Sequence, residues 1–166
     1  MLIEAWARVK PHNWHLRIAG PDEAGHRKQL EKAVRSAGLG EVVSFTGALD
    51  DSMKRSAFCD AELFVLPTHS ESFGIVVAEA LAHGVPVLTT KGAPWPALVE
   101  KGCGWWVEPT VEGLTKGLRE ATLSNSEILG KMGKNGRAFT VAELSWKRIS
   151  NLMLSTYKAI LTGDRF

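Results

Sequence analysis

The stretch LFVLPTHSESFGIVVAEALAHGVPVLTT, residues 63–90, decides how the chain folds. Residues 63–66 are a continuous apolar run that predicts a buried strand, stopped by Pro67. Residues 74–83 are apolar over the length of a helix, and Gly84 is typical of a helix end. Residues 85–90 are a second run that predicts a strand. This strand, helix and strand indicate a βαβ unit in a parallel sheet.

The same alternation extends in both directions from this unit. Short β-branched or aromatic runs predict three more strands, at 15–19, 42–45 and 105–107. The chain is therefore predicted to be an α/β protein, with a Rossmann-like parallel sheet of five strands flanked by helices. The predicted helices cover 2–9, 22–38, 51–59, 94–101 and 110–123, and further helices from 125 to 166 break near Leu144 and Ser145.

The chain opens on a helix, whereas a doubly wound sheet usually begins with its first strand. We therefore expect the sheet to lack that strand. Residues 1–143 are predicted to form one domain, truncated at its N-terminus, and residues 144–166 a separate C-terminal helix.

Composition excludes several classes of protein. The 166 residues are 45% hydrophobic and 23% charged, which suits a soluble globular domain. The net charge of +2 is too small to indicate nucleic acid as a partner. No apolar run approaches the roughly 20 residues that span a bilayer. Cys59 and Cys103 are predicted as buried thiols in a reducing compartment, so we expect a cytoplasmic protein.

Two acids frame the start of the apolar helix. Glu71 lies in the loop after a strand, where ligands bind in open parallel sheets. The N–H groups of Phe73, Gly74 and Ile75 at the helix start can bind an anion such as a diphosphate. Glu79 lies about 7 Å farther along the helix, and its two oxygens can accept from the vicinal diol of a ribose. Glu71, on the other side, would lie near a sugar carried by the diphosphate.

Spacing alone leaves plainer alternatives open. Glu71 can be a solvated loop acid, and Glu79 can pair with a nearby lysine or arginine. His69, beside the loop, is either a ligand contact or a solvated side chain. Most tryptophans are expected in the core, and Trp95, between two prolines, is the one considered for contact with a sugar.

The sequence ESFGIVVAE at 71–79, followed by GVPV at 84–87, resembles the E-x7-E signature of the group 1 glycosyltransferases of GT-B fold. Four more segments follow in the family's order: LRIAG at 16–20, VSFTG at 43–47, AELFVLPTHSE at 61–71 and GCGWWVEP at 102–109. The resemblance implies one half of a GT-B architecture, the C-terminal domain that binds the nucleotide sugar. It implies transfer of a sugar from a nucleotide diphosphate sugar to an acceptor hydroxyl, with retention at the anomeric carbon and without a metal or other cofactor.

The resemblance also implies roles for single residues. Glu71 would be the catalytic residue in contact with the donor sugar, and Glu79 would hold the ribose. Further donor contacts are expected from Ser72, Phe73, Gly74 and Ile75, and contacts to the base from Gly47, Ala48 and Leu49. The Trp-Trp pair at 105–106 and the APWP loop at 93–96 look most like enzymes of bacterial surface polysaccharide synthesis.

Several features depart from the family pattern. The family's Gly-Arg pair and a nearby Lys, which face the diphosphate, would precede Met1, and the N-terminal acceptor domain is missing too. We therefore expect weak nucleotide binding and no transfer by this chain alone. The sequence KGAPWP at 91–96 replaces a Gly-Gly-x-x-Glu stretch. The last helix, which would cross to the N-terminal domain, would have an exposed Trp146 side.

Other functions remain as alternatives or are excluded. The sequence has no GxGxxG, no Walker A loop and no GxSxG, which argues against a dinucleotide-binding fold, a P-loop NTPase and an α/β-hydrolase. A non-catalytic nucleotide-binding module, one half of a sugar-nucleotide epimerase and an interaction domain stay open. Lys131, Lys134 and Arg137 predict a solvated helix face or, alternatively, contact with anionic lipid, which would place the protein peripherally at the inner membrane.

Overall fold

The computed structural model describes residues 1–162, in which strands and helices alternate in the predicted order. The strands are β1 (Leu16–Ala19), β2 (Val43–Gly47), β3 (Phe64–Leu66), β4 (Val87–Thr90) and β5 (Gly104–Val107). The helices are α1 (Leu2–Val9), α2 (His26–Ser36), α3 (Asp51–Asp60), α4 (Ile75–Ala82), α5 (Ala97–Glu100), α6 (Val111–Leu123), α7 (Ser126–Glu143) and α8 (Trp146–Thr162). The predicted α/β class is confirmed. Residues 163–166 of the predicted C-terminal helix lie outside the described residues.

The strands are all parallel, but they form two sheets rather than the single sheet of five that the sequence suggested. β1 pairs with β2, and β4 lies between β3 and β5. Within residues 1–162, β1 does not pair with β3. The classic doubly wound order places the first strand between the second and the fourth. If β1 to β5 correspond to the second to sixth strands of that order, the break between the two sheets lies where the first strand would pair. The absence of a first strand stays a prediction.

β4 is the centre of the packing, because all four of its residues are buried. Successive side chains of a strand point to opposite faces. Val87 accordingly packs in one cluster with Leu81 of α4, and Leu88 packs in another with Trp6 of α1 and Leu114 of α6. Helices therefore cover both faces of the sheet to which β4 belongs.

Two helices begin later than predicted. α2 begins at His26 rather than at residue 22, because Gly25 takes a left-handed conformation (φ 75°) immediately before it. α5 begins at Ala97 rather than at residue 94. Pro96 lies directly before Ala97. The helical conformation is unfavourable for a residue that is followed by proline, which here is Trp95. Both differences shorten a helix without changing the order of elements.

The cysteines differ from each other in their surroundings. Cys103 is buried, which raises the pKa of its thiol to about 11. Cys59 is exposed, because α3 buries only Phe58 against the core. The prediction of two buried thiols is therefore wrong for Cys59.

α8 buries none of its side chains. Trp146 exposes 83% of its surface, which confirms the expectation for this side of the helix, and Tyr157 exposes 56%. The basic side chains of α7 that were predicted to be solvated are exposed as well: Lys131, Lys134 and Arg137. Within residues 1–162, no helix combines the length and the apolar character needed to cross a bilayer.

α4 and α7 approach each other closely at glycines. A Cβ at Gly133 of α7 would lie 1.9 Å from the carbonyl oxygen of Gly84, two residues after the end of α4. A Cβ at Gly136 would lie 2.6 Å from Cδ2 of Leu81. The glycines of α7 thus fix how closely it packs against α4.

We predict that Gly133→Ala lowers the free energy of unfolding by about 2–3 kcal/mol, because the new methyl group forces the helices apart. Gly130→Ala, in the same helix but with nothing within 4 Å of its Cβ, is the matched control. It should stabilise the protein by up to about 1 kcal/mol through helix propensity alone. Urea unfolding followed by circular dichroism measures both. Equal effects of the two substitutions would contradict the packing argument.

Candidate functional site

The loop between β3 and α4 turns at Gly74. This residue takes a left-handed conformation, with φ 77° and ψ 62°, and α4 begins at Ile75. A Cβ at this position would lie 3.2 Å from Cγ of Glu71 and 3.4 Å from Nε1 of Trp95. Both the backbone conformation and the lack of space therefore favour glycine at the start of α4.

Glu71 lies against this turn. Its N–H donates to the carbonyl oxygen of Gly92 at 2.8 Å, which fixes the backbone of the loop. Its half-buried side chain folds back, and Oε1 accepts a long hydrogen bond from the N–H of Phe73 at 3.4 Å. The expectation that Phe73 offers a free N–H group is therefore wrong, because Glu71 already occupies it.

The N–H groups of Gly74 and Ile75 have no acceptor among residues 1–162. The first N–H groups of a helix lack partners within the helix and carry part of the positive end of its dipole. Phe73 exposes 46% and Ile75 68% of its surface, and Ser72 is exposed, whereas Gly74 between them is buried. Although residues 74–83 are largely apolar, α4 is therefore not buried at its first residue, Ile75.

Glu79 of α4 forms an ion pair with Lys54 of α3. Oε1 and Nζ are 2.8 Å apart, and the two side chains are 33% and 37% exposed. The hydrogen bond from Lys54 to Glu79 raises the pKa of the lysine above its ordinary value. This confirms the plainer alternative that Glu79 pairs with a cation. The pair engages only Oε1, and Oε2 has no protein partner in the described chain.

The start of α3 brings Lys54 to this position. Asp50 caps the helix by accepting the N–H of Met53 at 2.8 Å. This bond, and a second one from the hydroxyl of Ser52, lower the pKa of the Asp50 carboxyl. Lys54 lies one turn farther along. The loop that was expected to meet the base is therefore followed directly by the helix turn that carries Lys54.

The loop at residues 47–49 borders two shallow hollows on the surface. Leu49 lines a hollow of about 380 Å³ together with Arg17 of β1 and Met53 of α3. Gly47, with φ 75°, lines another of about 200 Å³ at the ends of β1 and β2. Neither hollow is lined by Glu71 or Glu79. The base contact implied for Gly47, Ala48 and Leu49 stays a prediction.

The segment 90–95, after β4, supports the loop before α4. The hydroxyl of Thr90 donates to the carbonyl oxygen of Thr68, and the indole N–H of Trp95 donates to that of Phe73. Trp95 is only 3% exposed, so the interpretation of this residue as a sugar contact is wrong. The ring packs in the core, and its indole N–H supports the loop before α4 from the core side.

His69 is exposed, and its ring has no partner among the described residues. A Cβ at Gly92 would lie 2.6 Å from the carbonyl group of His69, so the two loops touch through backbone at this point. The structure therefore fixes the backbone of His69 and leaves its side chain in solvent. Its contact with a donor stays a prediction.

Two residues of the site were not found by sequence reasoning. Lys54 lies 25 positions before Glu79, and nothing in the local pattern of α3 marks it. Trp95 was noticed, but for the wrong role. The departure of residues 91–96 from the family's Gly-Gly-x-x-Glu stretch was the one signal that this segment has its own way of supporting the site.

Comparison with known families decides what kind of protein carries this site. The profile of the family described as "Glycosyl transferases group 1" matches residues 1–139. The chain belongs to the group 1 glycosyltransferases. The match includes both acids and the helix start between them, so the resemblance seen in the E-x7-E segment is confirmed.

Relatives of this glycosyltransferase chain include the MMP alpha-(1->4)-mannosyltransferase of Mycolicibacterium hassiacum, which is 28% identical over 131 residues, 77% of this chain and 32% of that protein. The C-terminal domain of the group 1 family protein LpcC of Francisella tularensis is 28% identical with a TM-score of 0.74, over 87% of this chain and 77% of that one. Anabaena HepE, solved with UDP and glucose, has a TM-score of 0.81 at 22% identity, over 95% and 44% of the chains. The chain spans about a third of the length of the curated relatives it matches.

Proposed function

We propose that this chain is the donor domain of a glycosyltransferase, which binds a nucleoside diphosphate sugar between its two acids. The observation that carries the proposal is the start of α4, where the N–H groups of the buried Gly74 and the exposed Ile75 have no acceptor among residues 1–162, with Glu71 before them and Glu79 farther along the helix. Few ligands other than a nucleotide sugar present an anion with a sugar at one end and a ribose at the other.

The diphosphate would bind at the helix start. Two N–H groups and the positive end of the helix dipole attract an anion there. Glu71 lies beside the same turn and would meet the sugar attached to the distal phosphate, as the resemblance implies for the catalytic residue. Ser72 and Ile75 are exposed next to it and would add backbone contacts.

The ribose would bind at Glu79. This residue lies five positions after Gly74, about 7 Å along the helix axis. Lys54 holds Oε1, so the carboxylate has one fixed orientation and presents Oε2. An ionised carboxylate that accepts from a hydroxyl makes a charge-assisted bond, stronger than a neutral one. The ion pair with Lys54 therefore does not oppose the ribose role but orients the group for it.

The rest of the proposed activity depends on residues beyond this chain. A second domain would bring the acceptor hydroxyl and exclude water on closure, and α8 would cross to it with its exposed apolar side. Transfer would retain the anomeric configuration without a bound metal, and the acceptor would belong to bacterial surface polysaccharide. UDP in the HepE complex and the mannosyltransferase name of a relative support a nucleotide sugar as the donor.

We predict that Glu79→Gln weakens binding of the preferred nucleoside diphosphate, chosen from UDP, GDP and ADP, by about 1–3 kcal/mol, because the charge-assisted bond to the ribose is lost. Isothermal titration calorimetry measures the affinity. Glu41→Gln, at an exposed acid far along the chain from the site, should bind like the parent. A Glu79→Gln protein with parental affinity would show that the ribose assignment is wrong.

Glu71→Ala should not weaken binding of the free nucleoside diphosphate, because this acid contacts the sugar rather than the phosphates and its removal also takes away a negative charge beside the helix start. Binding of the corresponding nucleotide sugar, UDP-glucose or GDP-mannose, should weaken by about 1–3 kcal/mol. Competition of each ligand against the diphosphate in nuclear magnetic resonance titrations separates the two. A loss of plain UDP or GDP binding would contradict the sugar role.

Transfer itself separates the enzyme from the alternatives. A longer form of the protein that includes the acceptor domain should move the sugar to an acceptor, whereas a non-catalytic module should only bind the nucleotide. An epimerase would convert its nucleotide sugar with no acceptor present. Chromatography of the sugar products, with and without acceptor, distinguishes these outcomes.

A further inference from the structure

The loop before α4 is held by hydrogen bonds from the segment that follows β4. Thr90 donates to the carbonyl oxygen of Thr68, and the carbonyl oxygen of Gly92 accepts the N–H of Glu71 at 2.8 Å. The last bond of the series is the one from the indole of Trp95 to the carbonyl oxygen of Phe73. This last bond lies closest to the N–H groups proposed to bind the diphosphate.

Trp95 is fixed from several sides. It is 3% exposed, and the centroid of its ring lies 5.2 Å from that of Phe73. Its backbone N–H donates to the carbonyl oxygen of Ala93 at 2.9 Å. Its Nε1 lies 3.4 Å from where a Cβ of Gly74 would be. A buried indole therefore contacts Phe73 directly and fills the space beside Gly74 that a Cβ would need.

Peptide geometry connects this contact to the site. The C=O of Phe73 and the N–H of Gly74 belong to one planar trans peptide and point in opposite directions. When Trp95 holds the carbonyl oxygen toward the core, the N–H must point away from the indole. The direction of a group in the binding site is thus set by a hydrogen bond on the other side of the same peptide plane.

This peptide needs such a constraint because glycine follows it. Gly74 has no Cβ and can adopt backbone conformations closed to other residues, so the plane before it can rotate at little steric cost. A rotated plane would turn the carbonyl oxygen of Phe73 toward the anion and the N–H of Gly74 away from it. The bond to Trp95 disfavours that state.

We infer that Trp95 is a positioning residue, which orients the N–H of Gly74 toward the diphosphate through its hydrogen bond to Phe73. The inference rests on the proposed function, and it adds a role for the segment where this chain departs from the family's pattern. Trp95 touches no part of the donor itself. Its effect should therefore appear only for ligands that carry phosphate at the helix start.

Trp95→Phe tests the inference, because it keeps a ring in the core and removes the N–H. Trp106→Phe is the matched control: it removes an indole bond of 2.8 Å to the carbonyl oxygen of Ala93, in the same segment but not to Phe73. Each protein is titrated with the diphosphate that the parent binds best among UDP, GDP and ADP, and with the nucleoside of the same base. Nuclear magnetic resonance shifts report both affinities.

We expect Trp95→Phe to bind the diphosphate at least about tenfold more weakly than the parent, with nucleoside affinity within about twofold, since one hydrogen bond to a charged group is lost. Trp106→Phe should retain both affinities within about twofold. Parental diphosphate affinity in Trp95→Phe overturns the inference and leaves the proposed function intact. Equal losses for diphosphate and nucleoside, or the same loss in Trp106→Phe, also overturn it.

Two measurements keep the test decisive. If Trp95→Phe does not fold, benzothienylalanine at position 95 keeps the shape of the indole and lacks only the N–H donor, and the same outcomes apply. A parent protein that binds none of the three diphosphates overturns the proposed function and the inference with it. The two failures are therefore distinguishable from the parent's titration alone.

Discussion

The site depends on the hydrogen bonds between two successive loops, 68–74 and 90–95, that leave one edge of the sheet. β3 and β4 are adjacent and parallel, so the segments that follow them emerge side by side. β4 is buried on both faces, and its position is fixed by both hydrophobic clusters. The segment 90–95 that follows β4 is consequently anchored to a buried strand. The loop after β3 has an exposed surface and a glycine turn, and it takes its shape from that segment.

Much of the fold could be predicted because apolar runs and glycine or proline stops are local signals. The order of elements and the start of α4 near Gly74 follow from a few neighbouring residues each. The ion pair between Lys54 and Glu79 could not be predicted, because it joins two helices that come together only after the sheet forms. Burial of Trp95 was missed for a similar reason: flanking prolines suggest an exposed loop, but the ring enters a space that only tertiary packing creates.

Two parts of the described chain present groups that a folded domain usually covers. β1 and β3 each have an edge without a strand beside it, and α8 has apolar side chains in solvent. Unpaired strand edges and apolar helix faces both promote association with other chains. The curated relatives are about three times as long as this chain. The division at residue 144 and the truncated first strand stay predictions on this basis.

The charges at the site bear on how strongly this chain can bind alone. Glu71 and Glu79 contribute two negative charges, and Lys54, the one cation paired with them among residues 1–162, already compensates Glu79. A helix start supplies only about half a positive charge. A diphosphate therefore meets a lysine that is already paired with Glu79, and the N–H groups at the helix start contribute to its attraction. Their orientation then matters more than in a site rich in arginine and lysine, which is why a single indole bond beneath Phe73 can control affinity.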